Sequence, residues 1–144
     1  MYLLDTNVVS ESRKLGTSRV DAQAARWFEQ IDVETSFLSA MTLFELERGV
    51  RQAERRDPAQ GQLLRRWLND QVTASFADRI LPLTGAVAIV CAGLHVPDPK
   101  SERDGWIAAT ALDAGLVLVT RNVADFAAMG VDIVNPFEWE DGGR

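Results

Sequence analysis

The sequence has very few of the side chains that form cross-links or bind soft metal ions. Its 144 residues include one cysteine, Cys91, and one histidine, His95. A single cysteine cannot form an internal disulfide, and one cysteine with one histidine cannot supply the ligands of a structural zinc site. These scarcities exclude a disulfide-bonded scaffold and a Cys/His zinc centre, and they favour a reducing compartment, the cytoplasm.

Long apolar runs are lacking as well. No run approaches the roughly 18 residues that a membrane-spanning helix needs. The first residues, MYLLD, lack the basic start of a signal peptide and reach an acidic side chain at Asp5. The chain is 47% apolar and 25% charged, which is ordinary for a globular protein. We therefore expect a single domain over residues 1–144 with no membrane association.

Basic side chains are also fewer than acidic ones. Fifteen Lys and Arg residues face twenty-one Asp and Glu residues, which gives a net charge of −6. Such an acidic chain does not bind nucleic acid through bulk electrostatics, although it could reach phosphate groups through bound cations. Six arginines nevertheless lie within residues 48–66, where they form either a solvated helical face or a surface for phosphates or an acidic partner.

The sequence does contain a regular alternation of short apolar runs and longer segments whose apolar residues recur at helical spacing. The runs predict strands over residues 2–4, 35–38, 80–83, 116–119 and 133–134, and Pro82 makes the third an edge strand or a strand end. The periods predict helices over residues 18–30, 42–53, 58–75, 84–94, 104–114 and 123–129. This alternation implies a parallel sheet with helices on both faces, in which sites form beyond the carboxyl ends of the strands.

Acidic residues stand where such a site would form. Asp5 directly follows the first strand, and Asp104 opens a helix whose apolar side chains at i+3, i+4 and i+7 face inward. Each carboxylate could cap its helix or bind a ligand, and the residues alone leave both interpretations open. Glu45 and Glu47 flank opposite sides of the apolar stripe on their helix, so helical geometry does not choose between them.

Several carboxylates that converge in a partly buried site repel one another. A divalent cation compensates their charge, and an all-oxygen site suits Mg²⁺, with Mn²⁺ as the alternative. The segment 120–125 adds a threonine, an asparagine and an aspartate after another strand. The pattern as a whole therefore favours a metal site at the carboxyl edge of the sheet.

Four segments carry this pattern in a recognisable form. They are LDTNV at 4–8, Glu45-Leu46 with Gly49, Asp104 with IAATA at 107–111, and LVTRN at 118–122 with Asp125-Phe126. In this order, over residues 3–126, the chain resembles the PIN-domain ribonucleases, specifically the VapC and FitB type of toxin from type II toxin–antitoxin pairs.

The resemblance implies an α/β fold, a PIN-like (Rossmann-like) three-layer α/β/α sandwich with a central, mostly parallel sheet. It also implies a nuclease site of about four acids. Asp5, Glu45 and Asp104 match the family's catalytic, metal-binding acids, and the resemblance is what selects Glu45 over Glu47.

The fourth acidic position departs from the family pattern. Asn122 stands where the family often has Asp, and Asp125 lies three residues further on. We expect Asn122 or Asp125 to complete the site through water or from outside the metal's direct ligands. The departure leaves open whether the site binds one metal ion or two. The residues expected to support the acids or position a phosphate are Thr6, Thr120 and Arg121.

The activity implied by the resemblance is endonucleolytic hydrolysis of RNA, in which a water activated by Mg²⁺ attacks the phosphorus and displaces the 3′ oxygen. Because the chain is acidic, the RNA would be held by the metal and by local arginines such as Arg48, Arg51 and Arg121. The expected partners are RNA, a cognate antitoxin, a second copy of the chain in a homodimer, and DNA through the antitoxin alone.

Two other functions fit parts of the pattern. A PIN-like binding module would dock an antitoxin and form a DNA-bound regulatory complex with little nuclease activity, but the intact Asp5, Glu45 and Asp104 argue against it. A phosphotransferase of the haloacid-dehalogenase type also begins with a strand and an Asp. That family needs a second Asp two residues on, where this chain has Asn7.

Overall fold

The protein is described by a computed structural model that covers residues 1–140. Its strands are β1 (Tyr2–Leu4), β2 (Ser36–Ser39), β3 (Ile80–Leu81), β4 (Val117–Val119) and β5 (Ile133–Val134). They form one sheet in the order β3-β2-β1-β4-β5, and every neighbouring pair is parallel. The sequence prediction of a parallel sheet is confirmed, and β3 lies at its edge and ends before Pro82, as the proline indicated.

Seven α-helices connect the strands within residues 1–140. They are α1 (Thr6–Ser12), α2 (Ala22–Gln30), α3 (Ala40–Arg56), α4 (Pro58–Arg66), α5 (Gly85–Leu94), α6 (Glu102–Ala114) and α7 (Val123–Phe126). A π-helical segment, Trp67–Thr73, continues α4 without a break, so the predicted helix over 58–75 has two geometries. Among the described residues, no helix combines the length and the apolar character needed to cross a membrane.

The sequence prediction missed α1, since it places no helix between the first strand and residue 18. The Asp5 carboxylate accepts a hydrogen bond from the Thr6 N–H and caps the helix, while the Asp5 carbonyl accepts from Val8 and Val9. Val8 and Val9 are buried in the core. A polar cap followed by two buried valines therefore makes a short helix rather than a turn.

Caps also move two predicted boundaries. The helix predicted from residue 18 begins at Ala22, because the Asp21 side chain caps it. The helix predicted to open at Asp104 begins at Glu102, because the Ser101 side chain caps it. Asp104 is therefore not a cap but a first-turn residue of α6, whose carboxylate remains free for other contacts.

The two faces of the sheet are packed against different helices. Leu4 faces a core that contains Trp27 of α2 and Val50 of α3, whereas Leu3 faces a core that contains Ile107 of α6. Successive residues of β1 thus point into opposite cores, as the pleat of a strand requires. This is the three-layer α/β/α arrangement that the resemblance implied.

The strand order places a switch point at β1. The chain adds β2 and β3 on one side of β1, and β4 and β5 on the other. Asp5 and Thr120 therefore leave neighbouring strands at the same carboxyl edge, and the Asp5 N–H donates to the Val119 carbonyl at 2.9 Å. Crevices at such switch points are where open parallel sheets bind ligands.

Candidate active site

Asp5 is the most buried acid of the carboxyl edge, with a solvent-exposed fraction of 0%. Its Oδ1 accepts hydrogen bonds from the Thr6 N–H at 2.7 Å and the Arg103 Nη2 at 2.6 Å. Its Oδ2 accepts from the Thr120 Oγ1 at 2.8 Å and the Asn7 Nδ2 at 3.1 Å. Asp5 is therefore the cap of α1, as one interpretation of its sequence position predicted, while ligand binding by Asp5 stays a prediction.

Glu45 reaches the same edge from α3. Its Oε1 accepts from the Thr6 Oγ1 at 2.6 Å, and its Oε2 accepts from the Arg103 Nε at 2.6 Å. Glu47 points elsewhere and pairs with Arg65 of α4 at 2.7 Å. The structure thus places Glu45, and not Glu47, beside Asp5.

Asp104 approaches from the first turn of α6 and accepts a short hydrogen bond from the Arg103 Nη1. Burial raises the pKa of the Asp104 carboxyl, and the hydrogen bond from Arg103 opposes that rise without cancelling it. The charges of Asp125 and Asp5 also raise the pKa of Asp104. An acid held near other acids in this way gains from any added positive charge.

Arg103 is the residue of this site that the sequence interpretation missed. Its guanidinium forms ion pairs with Asp5, Glu45 and Asp104 at the same time. Burial disfavours the charged form of Arg103, but the hydrogen bond to Glu45 and the charges of Asp5 and Glu45 outweigh it and raise its pKa. A basic side chain directly before a candidate acid was the available sequence signal, although adjacency alone does not show where the side chain points.

The residues around the acids either bind the carboxylates or lie beside the site. Thr6 and Thr120 both donate to the acids, and Asn7 binds Asp5 and accepts from the Arg121 N–H at 3.1 Å. The Arg121 guanidinium lies over the ring of Phe137, 4.6 Å from its centroid. Two candidates, Thr6 and Thr120, therefore hold the acids in place, while Arg121 is anchored beside the site by stacking.

The candidates for the fourth acidic position lie at the rim. Asn122 and Asp125 are exposed, and the Asn122 N–H donates to the Thr120 Oγ1 at 3.0 Å. Both residues line an open groove together with Arg121, Asn135 and Glu138. Within residues 1–140, neither side chain is recorded in a hydrogen bond with Asp5, Glu45 or Asp104.

The three carboxylates of the site offer the oxygen atoms that a metal ion needs, but they are arranged around the guanidinium of Arg103. Across the described part of the chain, no three acidic, histidine or cysteine side chains form a ready cluster for a metal ion. The cause is visible in the contacts, because three carboxylates each turn one oxygen to Arg103. Their oxygens suit Mg²⁺ or Mn²⁺ by type, whereas their present separation suits a guanidinium.

Comparisons with known proteins show that the chain is similar to proteins named as toxins and ribonucleases. Residues 2–131 match the model of the PIN domain. The chain is 34% identical over 143 residues to the VapC ribonuclease Y4jK of Sinorhizobium fredii, with 96% of this chain and 99% of the relative covered. It is 33% identical over 146 residues to the toxin FitB of Neisseria gonorrhoeae, with 98% and 100% covered.

Solved structures show the same likeness. The crystal structure of FitAcB from Neisseria gonorrhoeae superposes with a TM-score of 0.85 at 31% identity, covering 96% of this chain and 99% of that one. The structure of FitAB bound to an IR36 DNA fragment gives a TM-score of 0.83 at 28% identity, with 99% and 100% covered. The similarity thus extends over nearly the whole length of both chains.

Proposed function

Since the chain belongs to the PIN domain family, as its motifs indicated, we propose that it is the toxin of a toxin–antitoxin pair and a metal-dependent endoribonuclease. The observation that carries the proposal is the convergence of Asp5, Glu45 and Asp104 on one point at the carboxyl edge of the sheet. Relatives named VapC ribonuclease and toxin FitB match over nearly their full lengths, which supports the same activity here.

The proposed chemistry assigns each acid a task. Asp5 and Asp104 hold the cation, and Glu45 holds it or orients the attacking water. When bound, Mg²⁺ or Mn²⁺ supplies positive charge that neutralises the scissile phosphate and lowers the pKa of water. Thr6 and Thr120 keep Asp5 and Glu45 in fixed orientations through the hydrogen bonds described above.

The rim residues complete the proposed substrate site. Asn122 or Asp125 would bind the cation through water, and the groove that they line would receive the RNA strand next to the acids. Arg121 would contact a phosphate from its place over Phe137, while Arg48 is an exposed residue of α3, the helix that carries Glu45. These contacts would supply the attraction that an acidic chain otherwise lacks.

The partners follow from the same assignment. Structural relatives are complexes such as FitAB bound to DNA, so we propose a cognate antitoxin for this chain and DNA binding through that antitoxin. We also propose that residues 1–144 are one PIN domain, that the toxin is a homodimer and that it acts in the cytoplasm.

The test is cleavage of a mixed RNA pool by the purified, antitoxin-free protein. We expect cleavage with Mg²⁺ or Mn²⁺ and none with EDTA. Asp104→Asn and Glu45→Gln should each lower the rate by about 10²-fold or more, because each removes one charge from the converging acids. Glu29→Gln is the control, since it makes the same change at an exposed position of α2, away from the acids, and should keep the wild-type rate.

The possible outcomes separate the nuclease from its alternative. Equal loss of activity in Glu45→Gln and Glu29→Gln would contradict the assignment of Glu45. Intact RNA with folded wild-type protein at all metal concentrations would instead favour the binding module that docks an antitoxin with little nuclease activity. Under that outcome the antitoxin complex should still bind its DNA.

A further inference from the structure

Three carboxylates and one guanidinium make up the centre of the site, and both oxygens of Asp5 and of Glu45 already have hydrogen-bond partners. Asp5 Oδ1, Glu45 Oε2 and Asp104 Oδ1 all accept from Arg103. The other oxygens of Asp5 and Glu45 accept from Thr120, Asn7 and Thr6. A cation bound at the point where the three carboxylates converge would therefore contact oxygens that now bind Arg103.

Charge gives a second reason why a guanidinium and a divalent cation cannot share this centre. Arg103 is a permanent cation, and its pKa is raised further by Glu45 and Asp5. Two cations within a few ångströms repel strongly where the surroundings are partly buried. Asp5, with 0% of its side chain exposed, cannot reorient toward solvent to serve both.

The position of Arg103 along its helix does not favour its positive charge. It lies in the first turn of α6, where the helix dipole disfavours positive charge. Its side chain remains 28% exposed, so it has a direct route to solvent. The guanidinium is thus a cation in an unfavourable helix position, bound by three ion pairs that a competing cation can take over.

We propose that Arg103 and the divalent cation occupy the Asp5, Glu45 and Asp104 centre in turn. Without metal, Arg103 neutralises the acids and keeps them together. Metal binding breaks its three ion pairs and moves the guanidinium toward solvent. This inference rests on the proposed metal dependence, and it adds a positioning residue that sets how tightly the metal binds.

The first test measures metal affinity without RNA. Calorimetric titration should show that Arg103→Gln binds Mn²⁺ at least about fivefold more tightly than the wild type does, because no guanidinium then competes with the metal for the three carboxylates. Arg26→Gln is the matched control. It removes the same charge from an exposed position on α2 and should leave the Mn²⁺ affinity unchanged.

The second test follows Arg103 itself in the wild-type chain. Its Nε–H donates to Glu45 at 2.6 Å, so it should give a protected NMR signal in the metal-free protein. Saturation with Mg²⁺, which is diamagnetic, should shift that signal to the solvent-exposed arginine region. This measurement needs no variant, so it stands even if Arg103→Gln fails to fold. Arg103→Lys, whose single ammonium cannot bridge three acids, should show intermediate Mn²⁺ affinity.

Several results would overturn the inference. They are equal or weaker Mn²⁺ binding by Arg103→Gln, an Arg103 signal that persists at saturating Mg²⁺, and no metal binding by either protein. RNA cleavage enters none of these readouts, so the two proposals can fail separately. Tighter Mn²⁺ binding by Arg103→Gln, together with no RNA cleavage by the wild type, would support the exchange of Arg103 with metal and contradict the nuclease. Metal-dependent RNA cleavage by the wild type, together with unchanged Mn²⁺ affinity in Arg103→Gln, would support the nuclease and contradict the exchange.

Discussion

Asp5 is a buried charge whose four donors come from three different parts of the chain. Its donors are the Thr6 backbone and the side chains of Asn7, Arg103 and Thr120. A buried carboxylate without partners costs several kcal/mol, which explains why both of its oxygens are fully engaged. Any substitution that keeps the shape of Asp5 but removes its charge would leave Arg103 with fewer carboxylates and would alter the whole centre.

Glu47 is the acid of α3 whose charge acts on stability rather than on the site. A hydrogen bond from Arg65, followed by one from Arg51, lowers the pKa of Glu47 from 4.5 to about 2. A carboxyl whose pKa is depressed in the folded state stabilises the fold above its unfolded pKa. That stabilisation is lost as the pH falls through the interval between the two values.

We therefore expect Glu47→Gln to reduce the free energy of unfolding by about 1 kcal/mol at pH 7, a value lowered by solvent screening of a one-third exposed side chain. The difference from wild type should shrink between pH 4.5 and pH 3, which urea unfolding at a series of pH values would measure. Glu29→Gln, at an exposed position on α2, serves as the control. A Glu47→Gln effect that is constant over this pH range would refute the ion-pair explanation.

At the scale of elements, α3 and α4 approach each other unusually closely at Gly61. A Cβ at residue 61 would lie 2.4 Å from the Glu54 Cα and 2.6 Å from the Glu54 nitrogen, both of which are backbone atoms. Gly49 differs, because a Cβ there would meet nothing within 4 Å. The packing of α3 against α4 therefore requires a glycine at residue 61, whereas there is room for a side chain at residue 49.

We expect Gly61→Ala to lower the free energy of unfolding by about 1–3 kcal/mol, since the backbone of α3 must shift to admit a methyl group. Gly49→Ala should raise it by about 0.5–1 kcal/mol, because alanine favours a helix interior and no neighbour obstructs it. Chemical denaturation of the two variants measures both signs. Stabilisation by Gly61→Ala would mean that the two helices do not pack at this distance.

The elements also show which part of the fold local patterns can predict. The strands were predicted from apolar runs, since β-branched and aliphatic side chains on a buried sheet leave a clear signal, as in residues 116–119. The start of α2 was misplaced because the periodic pattern extends beyond Asp21, whose side chain decides where the helix begins. Helix α1 was missed because it begins with the polar residues Thr6 and Asn7, and only the Asp5 cap and the buried Val8 and Val9 identify it.

At the scale of the whole molecule, the net charge of −6 coexists with a local excess of arginine on α3. An open groove there is lined by Phe44, Arg48, Arg51 and Arg55, with Glu47 as its acid. The Arg48 guanidinium lies 5.0 Å from the centroid of the Phe44 ring, which is 54% exposed. An exposed aromatic ring beside arginines is the combination that binds single-stranded RNA by stacking and charge.

We expect Arg48→Gln to weaken RNA binding and to reduce the slope of log affinity against log salt by about 0.7, the value for one phosphate contact on a single strand. Binding would be measured in an Asp104→Asn background, so that the RNA stays intact. Arg26→Gln in the same background controls for net charge. An unchanged slope for Arg48→Gln would show that this groove does not contact the strand.

The sequence by itself determined the class of fold and the edge of the sheet that carries the site. Alternating strands and helices force a parallel sheet covered on both faces, and residues that directly follow β1 and β4 must meet at one edge. For this reason the sequence alone predicts that Asp5 and Thr120 lie at the same edge of the sheet. Family resemblance then selected Glu45, and the structure brings it to the same edge.

Only the tertiary structure decided which charges meet. Glu47 pairs with Arg65, eighteen residues away on α4, and Arg103 reaches Asp5 across ninety-eight residues. Such contacts depend on the distances between packed elements and on the rotamers of long side chains, neither of which leaves a periodic trace in the sequence. Local patterns report the face on which a residue lies, whereas the partner that it finds there is set by the whole fold.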